Sequence, residues 1–327
     1  MQPCGGVTGV SLQPFRKPWK SVDEQIALLK SRGILFGDVD AARLVLRHID
    51  YYRFSGYTYP FRRTASGSHT YPAATRFEDI QRLYHLDADL RHAVLRAIGV
   101  LEVDLRSSVV CVFAGRHGPM GHTDASRFRQ PGVLPRNAGL AARRRYPDHG
   151  GWLDNLRRET KRSSEDCVHH FKSRYTAYPD VPIWVAASVM SFGTLSKMIN
   201  LLVKNDLKEV AMRYGLQRTT LSSWVHHLAH ARNVCAHHSR LWDRVWAVKP
   251  ARPAGKLWDP AAVPDTGRLF MTLLIISQML QQTIPTSRAA RFWRSEVIDL
   301  LNEIAEIPDA EHHTGLPTNW QGHPLLA

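Results

Sequence analysis

The feature that most constrains the fold is an unbroken run of helical periodicity between Glu78 and Ala114. Apolar side chains recur there at spacings of three and four. This pattern predicts one amphipathic helix on the order of 50 Å long at 1.5 Å per residue. No convincing run of alternating strand residues occurs elsewhere, so the chain is expected to be mainly α. The apolar positions are Ile80, Leu83, Leu90, Val94, Ile98, Leu101, Leu105, Val109 and Val112.

Start and stop signals predict further helices around this one. Ser21 and Glu24 have the spacing of a capping box, which predicts a short helix ending at Gly33. A second helix is predicted to begin at an aspartate, either residue 38 or residue 40. The aromatic segment 50–63 contains a glycine and a proline and cannot be one regular element, and we interpret its rings as packing rather than base stacking. Helical periodicity also covers 152–175, 183–202, 221 onward, 267–283 and 289–304.

These patterns divide the chain into regions. We expect a flexible N-terminal arm (1–18), an N-terminal helical and aromatic segment (19–75), a helical domain (76–310) with a long basic loop inserted at 115–151, and a C-terminal tail (311–327). The insertion carries repeated glycine and proline with little periodicity, which is typical of a loop.

The charge of the chain favours a phosphate-bearing partner. There are 43 Lys and Arg against 29 Asp and Glu, a formal charge of +14. Nucleic acid is the leading interpretation and an anionic membrane surface the second. Half of the excess lies between Arg127 and Arg162, either as a solvated, disordered charge run or as a flap that grips phosphates. The residues we expect to contact RNA are Arg143, Arg144, Arg145, Arg157, Arg158 and Arg240.

Cysteine use and hydropathy indicate a cytoplasmic protein. The four cysteines form no CxxC pair, which is typical of a reducing compartment and argues against a zinc ribbon. The most apolar stretch, Leu269 to Leu280, is shorter than the roughly 20 residues of a membrane span, and the N-terminus lacks the pattern of a signal peptide. We therefore expect no membrane association.

A polar stripe marks the helix that begins near Leu221. At 100° per residue, His226, His230, Asn233 and His237 share one edge, while Arg232 lies at the boundary with the apolar face. Three interpretations remain open. The stripe is a solvated helix face; or His226 and His230, four apart, share a metal ion, although no third ligand stands at a helical offset; or the stripe performs phosphodiester chemistry.

The phosphodiester interpretation assigns a role to each residue type. Arg232 would stabilise the extra charge of a phosphorane-like transition state, and Asn233 would orient the Arg or the phosphate. His237 would act as the general acid or base on the attacking 2′-hydroxyl or the leaving 5′-oxygen. His238 either serves as a second proton carrier or points away and packs. Trp242 and Arg240 either stack on a base or close the helix end, and we favour closure.

The segment from Arg232 to Trp242, RNVCAHHSRLW, resembles the RN-x-CAHH-x-RLW signature of the Abi-like bacterial proteins (the AbiD/AbiF group). Those proteins belong to the HEPN superfamily of helical ribonucleases, whose motif is R-N-x-x-x-H. With this motif, five blocks resemble the family in order along the chain. The other four are an N-terminal block (24–33 and 49–57 followed by 60–62), a long-helix block (97–107), a middle block (182–193) and a C-terminal block (315–320).

The resemblance implies a HEPN-like helical bundle and a metal-independent endoribonuclease of abortive infection, an anti-phage response in which a cell cleaves RNA and stops its own growth. It also implies a homodimer with a composite cleft, RNA as substrate, a possible regulatory non-coding RNA, and no cofactor or metal. The alternatives are a catalytically silent RNA-binding protein partnered with such an RNA, and an interaction protein that pairs with an antitoxin.

The chain departs from the family pattern at two positions. Ser188 and Gly99 stand where relatives often have acids. If those acids take part in catalysis, activity here is in doubt. If they only brace the arginine of the motif, Glu102 is expected to serve as the supporting residue.

Overall fold

The computed structural model describes residues 14, 17–62, 70–129, 148–283 and 288–326. Within these ranges it contains thirteen α-helices and two isolated β-bridges but no strand, which confirms the mainly-α class. The chain forms two compact units, Met1–Tyr84 and His85–Ala327. This division falls inside the long helix, whereas the sequence placed a boundary between residues 75 and 76.

The described part of the first unit holds three short helices, α1 (Val22–Ser31), α2 (Val39–Ile49) and α3 (Tyr51–Ser55). The predicted capping box is confirmed: the Glu24 amide donates to Ser21 Oγ at 3.3 Å, and the Ser21 amide donates to Glu24 Oε2 at 2.7 Å. Asp38 is the N-cap of α2, and its carboxylate accepts from two backbone amides. These caps satisfy amides that a helix start otherwise leaves unpaired.

The aromatic segment divides, as expected, into α3 and a 3₁₀ turn at Tyr59–Phe61. Its inner rings pack within the first unit: Phe54 stacks on Phe77 with centroids 4.6 Å apart, and Tyr57 meets Tyr84 edge-on at 5.3 Å. The structure therefore confirms packing for these buried rings. Tyr52 and Tyr59 remain exposed.

The long helix is confirmed as a single element, α4 (Phe77–His117), 41 residues long. The predicted apolar positions are buried along its whole length. It extends three residues beyond the predicted end at Ala114, into the region expected to be the basic loop. Residues 130–147 of that loop, and most of the predicted N-terminal arm, lie outside the described ranges.

Within the described ranges, nine helices follow α4 in the second unit. Two predicted periodic runs are each divided, at residues 163–165 and at residues 190–191, where the hydroxyl of Ser191 caps the next helix by accepting from the Thr194 amide at 3.2 Å. Two helices, 204–212 and the five-residue 310–314, were not predicted. The nine are α5 (His149–Arg162), α6 (Asp166–Arg174), α7 (Ile183–Val189), α8 (Phe192–Leu201), α9 (Lys204–Met212), α10 (Arg218–Ala236), α11 (Leu269–Thr283), α12 (Arg288–Ala305) and α13 (Ala310–Thr314).

The helix with the polar stripe, α10, lies against α8 and α9. It begins after Gln217, which provides no side-chain cap, three residues before the start near Leu221 that the sequence predicted. The most apolar stretch of the sequence lies in α11, within the helix predicted at 267–283, and residues Leu269–Ser277 are all buried. No helix in the described ranges combines the length and low charge needed to traverse a lipid bilayer.

The C-terminal tail is packed rather than loose. Trp320, Leu325 and Leu326 are buried, and the hydroxyl of Ser277 on α11 donates to the backbone oxygen of Leu325. The last residues of the described chain therefore belong to the core of the second unit.

Candidate active site

The R-N-x-x-x-H motif lies at the C-terminal end of α10. Arg232 and Asn233 occupy the last turns, His237 is the C-cap, and His238 has a left-handed backbone with φ of 54°. The His238 amide donates to Cys235 O at 2.9 Å, and the Ser239 amide donates to Val234 O at 2.9 Å. This pair of hydrogen bonds is a Schellman motif, which satisfies the last carbonyls of the helix and turns the chain away from its axis.

All four predicted catalytic side chains are exposed. Arg232, Asn233, His237 and His238 each retain a large accessible surface, while Cys235 between them is buried. Arg232 Nη1 donates to Asn233 Oδ1 at 3.2 Å, so the carboxamide holds the guanidinium on the outer face of the helix. The guanidinium and the imidazole of His237 are thus open to a ligand rather than sealed in the interior.

The stripe continues toward the middle of α10 with histidines in different surroundings. His226 is exposed, and His230 is half-buried with its ring edge-on to Trp246, centroids 5.9 Å apart. Burial lowers the pKa of His230, and the nearby charges of Arg244 and His226 lower it further. Among the described residues, no group of three or more His, Cys, Asp or Glu side chains is arranged to hold a metal ion.

His227, which the helical projection did not single out, is fully buried. Its Nδ1 lies 2.7 Å from Val248 O and its Nε2 lies 2.9 Å from Thr272 Oγ1. Nδ1 therefore carries the proton, and Nε2 accepts from the threonine hydroxyl. Burial lowers the pKa of His227 to about 4, so the ring is neutral at pH 7. It ties α10 to α11 through Thr272 and to the chain at Val248.

The loop that follows the motif is anchored by Asp87 on α4. The buried carboxylate accepts from the Leu241 amide at 2.9 Å and from the Trp242 amide at 2.7 Å through Oδ1, and Arg91 donates to its other oxygen. Both side chains of this ion pair are at most 5% exposed. The sequence carried a signal for it, since Asp87 and Arg91 are an i,i+4 pair within the apolar stripe of α4.

Other contacts close the same loop. Trp242 is buried, with its ring centroid 5.3 Å from that of His313. Asp243 has φ of 53° and accepts from Arg268 Nη1 at 3.1 Å. Burial alone would raise the pKa of Asp243, but hydrogen bonds from His313 and Arg268 hold it below its usual value. Trp242 thus closes the helix end, as favoured from the sequence, and does not offer its ring to a base.

Cys235 is unsuited to nucleophilic chemistry. Burial raises the pKa of its thiol to about 12, and the neighbouring carboxylate of Asp87 adds to the effect. A thiol that stays protonated at neutral pH is a poor nucleophile. The cysteine of the motif is a packing residue between α10 and the Asp87–Arg91 pair.

Glu102 does not brace Arg232, contrary to the expectation from the sequence. It pairs with Arg106, which also donates to Met190 O at 2.7 Å. In the described part of the chain no hydrogen bond or ion pair joins Glu102 to the motif. The reason is geometric: Arg106 lies one turn further along α4, where it forms an ion pair with the Glu102 carboxylate.

The two positions that lack the family's acids are both exposed. Ser188 donates to Val185 O at 2.7 Å, within its own helix. A side chain at Gly99 would meet no other atom within 4 Å. Neither residue contributes to the core of the second unit.

The predicted RNA-binding arginines differ in their surroundings and in whether the structure describes them. Arg143, Arg144 and Arg145 lie outside the described residues. Arg157 makes a two-pronged ion pair with Asp180, both N–O distances being 2.7 Å, and its hydrogen bonds lower the pKa of that carboxyl. The remaining two differ in exposure: Arg158 is exposed and Arg240 is half-buried.

Comparison with known proteins gives one result. A family model described as Abi-like protein matches residues 44–243, a range that includes all of α4 and α10 and ends just past Trp242. No curated protein and no solved structure matches the chain.

Proposed function

Because the chain belongs to the Abi-like protein family, we propose that it is an abortive-infection endoribonuclease that cleaves RNA without a metal ion. The observation that carries the proposal is the joint exposure of Arg232, Asn233 and His237 at one end of a helix whose other faces are buried. A guanidinium, a carboxamide and an imidazole left open together suit a phosphodiester.

The reaction assigns one task to each side chain. The ribose 2′-oxygen attacks the adjacent phosphorus, its proton passes to a base, and the bond to the 5′-oxygen breaks as that oxygen receives a proton. The products are a 2′,3′-cyclic phosphate and a 5′-hydroxyl. His237 carries one of these protons, and Arg232 stabilises the phosphorane-like transition state, where one well-placed donor contributes on the order of 3 kcal/mol.

Asn233 orients the arginine. The hydrogen bond from Arg232 Nη1 to Asn233 Oδ1 fixes one guanidinium nitrogen. The remaining N–H groups then face outward toward a phosphate oxygen, which lowers the entropy lost on binding. The role of Asn233 is therefore positioning rather than proton transfer.

A homodimer would complete the site. In-line transfer benefits from a proton carrier on each side of phosphorus, and one chain offers a single exposed His237 with His238 diverging from it at the Schellman turn. A second copy related by a twofold axis would supply the other His237. The Asp87 anchor supports this arrangement because it holds the loop after the motif in one conformation.

The test is incubation of the purified protein with total RNA, with and without EDTA, followed by mapping of the new ends. The proposal expects cleavage that persists in chelator, leaves cyclic phosphate ends and is lost in Arg232→Ala and in His237→Ala. Exposed residues of the same types on α6 give matched controls, His169→Ala and Arg174→Ala, which are expected to cleave normally.

Other outcomes would contradict the enzyme. Cleavage that requires a divalent ion, or that attacks DNA equally, would exclude attack by the 2′-hydroxyl. Salt-sensitive RNA binding without turnover would indicate the silent RNA-binding protein instead. Unfolding of Arg232→Ala would show that the motif arginine is structural.

A further inference from the structure

A basic cleft of about 620 Å³ opens beside the N-terminal half of α10. Its volume lies within the range of about 300–1,000 Å³ typical of small-ligand sites. Four cationic side chains line it, contributed by the chain just before the undescribed loop, by α9, by the start of α10 and by the segment after the motif. They are Arg129, Lys204, Arg218 and Lys249, all exposed.

No carboxylate of the described chain lines this cleft. Within the described residues, Lys204, Arg218 and Lys249 form no ion pair, in contrast to Arg116 and Arg157, which are held by acidic partners. Positive side chains around a concave surface that no carboxylate of the described chain lines attract an anion, because a cleft with low-dielectric walls concentrates the field.

The walls of the cleft are held in place by the fold. The Arg129 amide donates to Leu201 O at 2.8 Å, which fixes that residue at the end of α8. On α10 the hydroxyl of Ser222 donates to Asn200 Oδ1, joining two lining residues. The floor is apolar and includes Leu202 and Val248. The cations are thus presented on a fixed frame rather than on a free chain segment.

The cleft connects to the motif through the polar stripe. His226 lines the cleft and is exposed, and the stripe runs from it through His230 and Asn233 to His237. The distance from His226 to His237 along the helix is about 17 Å at 1.5 Å per residue. That is about five nucleotides at the ~3.4 Å spacing of a stacked strand.

We infer that this cleft binds the phosphate backbone of single-stranded RNA, about five nucleotides from the phosphodiester held at Arg232 and His237. The position of the scissile bond rests on the proposed function. The binding of a polyanionic strand rests only on the cleft. An extended strand accounts for both the four cations and the polar stripe, whereas a free nucleotide would leave the stripe unused.

The test measures RNA binding in a His237→Ala background, so that the probe is not cleaved. Fluorescence anisotropy with a ten-nucleotide RNA is recorded at several salt concentrations for this protein and for the same protein carrying Lys204→Gln, Arg218→Gln and Lys249→Gln. The matched control removes three exposed cations outside the cleft, Arg47→Gln, Arg174→Gln and Lys256→Gln.

The inference expects the cleft variant to bind at least tenfold more weakly than its parent at 150 mM salt. The slope of log K against log salt is expected to fall by about 2, since each lost phosphate contact on a single strand removes about 0.7. The control is expected to change affinity less than twofold. If the triple variant fails to fold by circular dichroism, Lys249→Gln alone is measured, with an expected loss of about threefold.

Competition distinguishes a strand from a small phosphate ligand. Ten-nucleotide RNA is expected to displace the probe at concentrations at least a hundredfold below those of a mononucleotide or inorganic phosphate. Equal displacement by a mononucleotide would overturn the strand model, as would unchanged binding in the cleft variant or the absence of RNA binding in the parent.

The result separates the two proposals. Loss of binding in the cleft variant, together with a wild-type protein that cuts no RNA, would support the cleft and contradict the nuclease. Normal binding in the cleft variant, together with a wild-type protein that cleaves RNA, would contradict the cleft and leave the nuclease standing.

Discussion

The carboxylate of Asp87 lies 2.7 Å from the backbone nitrogen of Trp242, although the two residues are 155 positions apart in the chain. The same oxygen also receives the Leu241 amide, and Arg91 neutralises the charge. A buried carboxylate with these three partners is satisfied, and it fixes the chain directly after His237 and His238. The orientation of the motif therefore depends on α4 as well as on α10.

Removing the anchor is expected to destabilise the protein and to disorder the motif end. Asp87→Ala leaves the buried Arg91 without its counter-charge and two amides without an acceptor, so unfolding in urea is expected to show a loss of about 3–5 kcal/mol. Asp89→Ala, an exposed position on the same helix, is expected to change the free energy of unfolding by less than about 0.5 kcal/mol. Equal losses in the two variants would contradict the anchor.

The left-handed conformation of His238 gives a way to separate backbone from side chain. At φ of 54° glycine is the favoured residue, so His238→Gly is expected to keep or raise stability by up to about 1 kcal/mol, whereas His238→Ala gains nothing. Both variants remove the imidazole. If His238 ends the helix and carries no proton, RNA cleavage by His238→Gly stays within about threefold of wild type, and loss of cleavage in both variants would assign it a proton-transfer role.

Gly99 is a place where α4 can be strengthened. A Cβ there would meet no other atom within 4 Å, so Gly99→Ala is expected to stabilise the helix by about 0.5–1 kcal/mol, measured by thermal unfolding. Gly121→Ala is the contrast, because its Cβ would lie 2.5 Å from that of His117 and is expected to destabilise. Gly99→Glu restores the acid of the family pattern, and an increase in RNA cleavage by that variant alone would show that the acid matters.

The free energy of unfolding is expected to decrease as the pH is lowered, because of His227. Its pKa is about 4 in the folded protein and about 6.5 in the unfolded chain, so the unfolded state binds more protons between these values. The stabilisation is complete above about pH 6.5 and is lost as the pH falls toward 4, at about 1.4 kcal/mol per pH unit. His122, whose pKa burial also lowers to about 4, adds a similar contribution.

Urea unfolding at pH 7.5 and pH 5 checks this dependence. His227→Asn keeps a donor toward Val248 O but does not titrate, so it is expected to lose less stability between the two pH values than the wild type does. An identical pH dependence in the two proteins would mean that His227 is not the responsible group.

Local signals in the sequence were sufficient for much of the fold. The capping box at Ser21 and Glu24, the single helix α4 and the buried α11 all depend on interactions within a few residues, and periodicity records those directly. The motif from Arg232 to Trp242 was likewise recognisable from the sequence, because its residues are contiguous. The breaks at residues 163–165 and 190–191 were not predicted, since apolar periodicity continues across them.

Long-range partners were beyond the reach of the sequence. His227 is polar and fell outside the projected apolar face, yet it is buried because Val248 and Thr272 supply hydrogen bonds that cancel the cost of desolvation. Glu102 was expected at the motif and instead pairs with Arg106, since an i,i+4 partner is closer than any residue that tertiary packing brings.

The sequence by itself determined a mainly-α chain with a strongly basic charge and an arginine, an asparagine and a histidine along one helix, because composition and helical spacing are properties of neighbouring residues. Only the tertiary structure decided that these side chains stay exposed, that Asp87 holds the loop behind them and that four cations from separate segments share one cleft. Those relationships join residues far apart in the chain, and only packing brings such residues within hydrogen-bonding or electrostatic range.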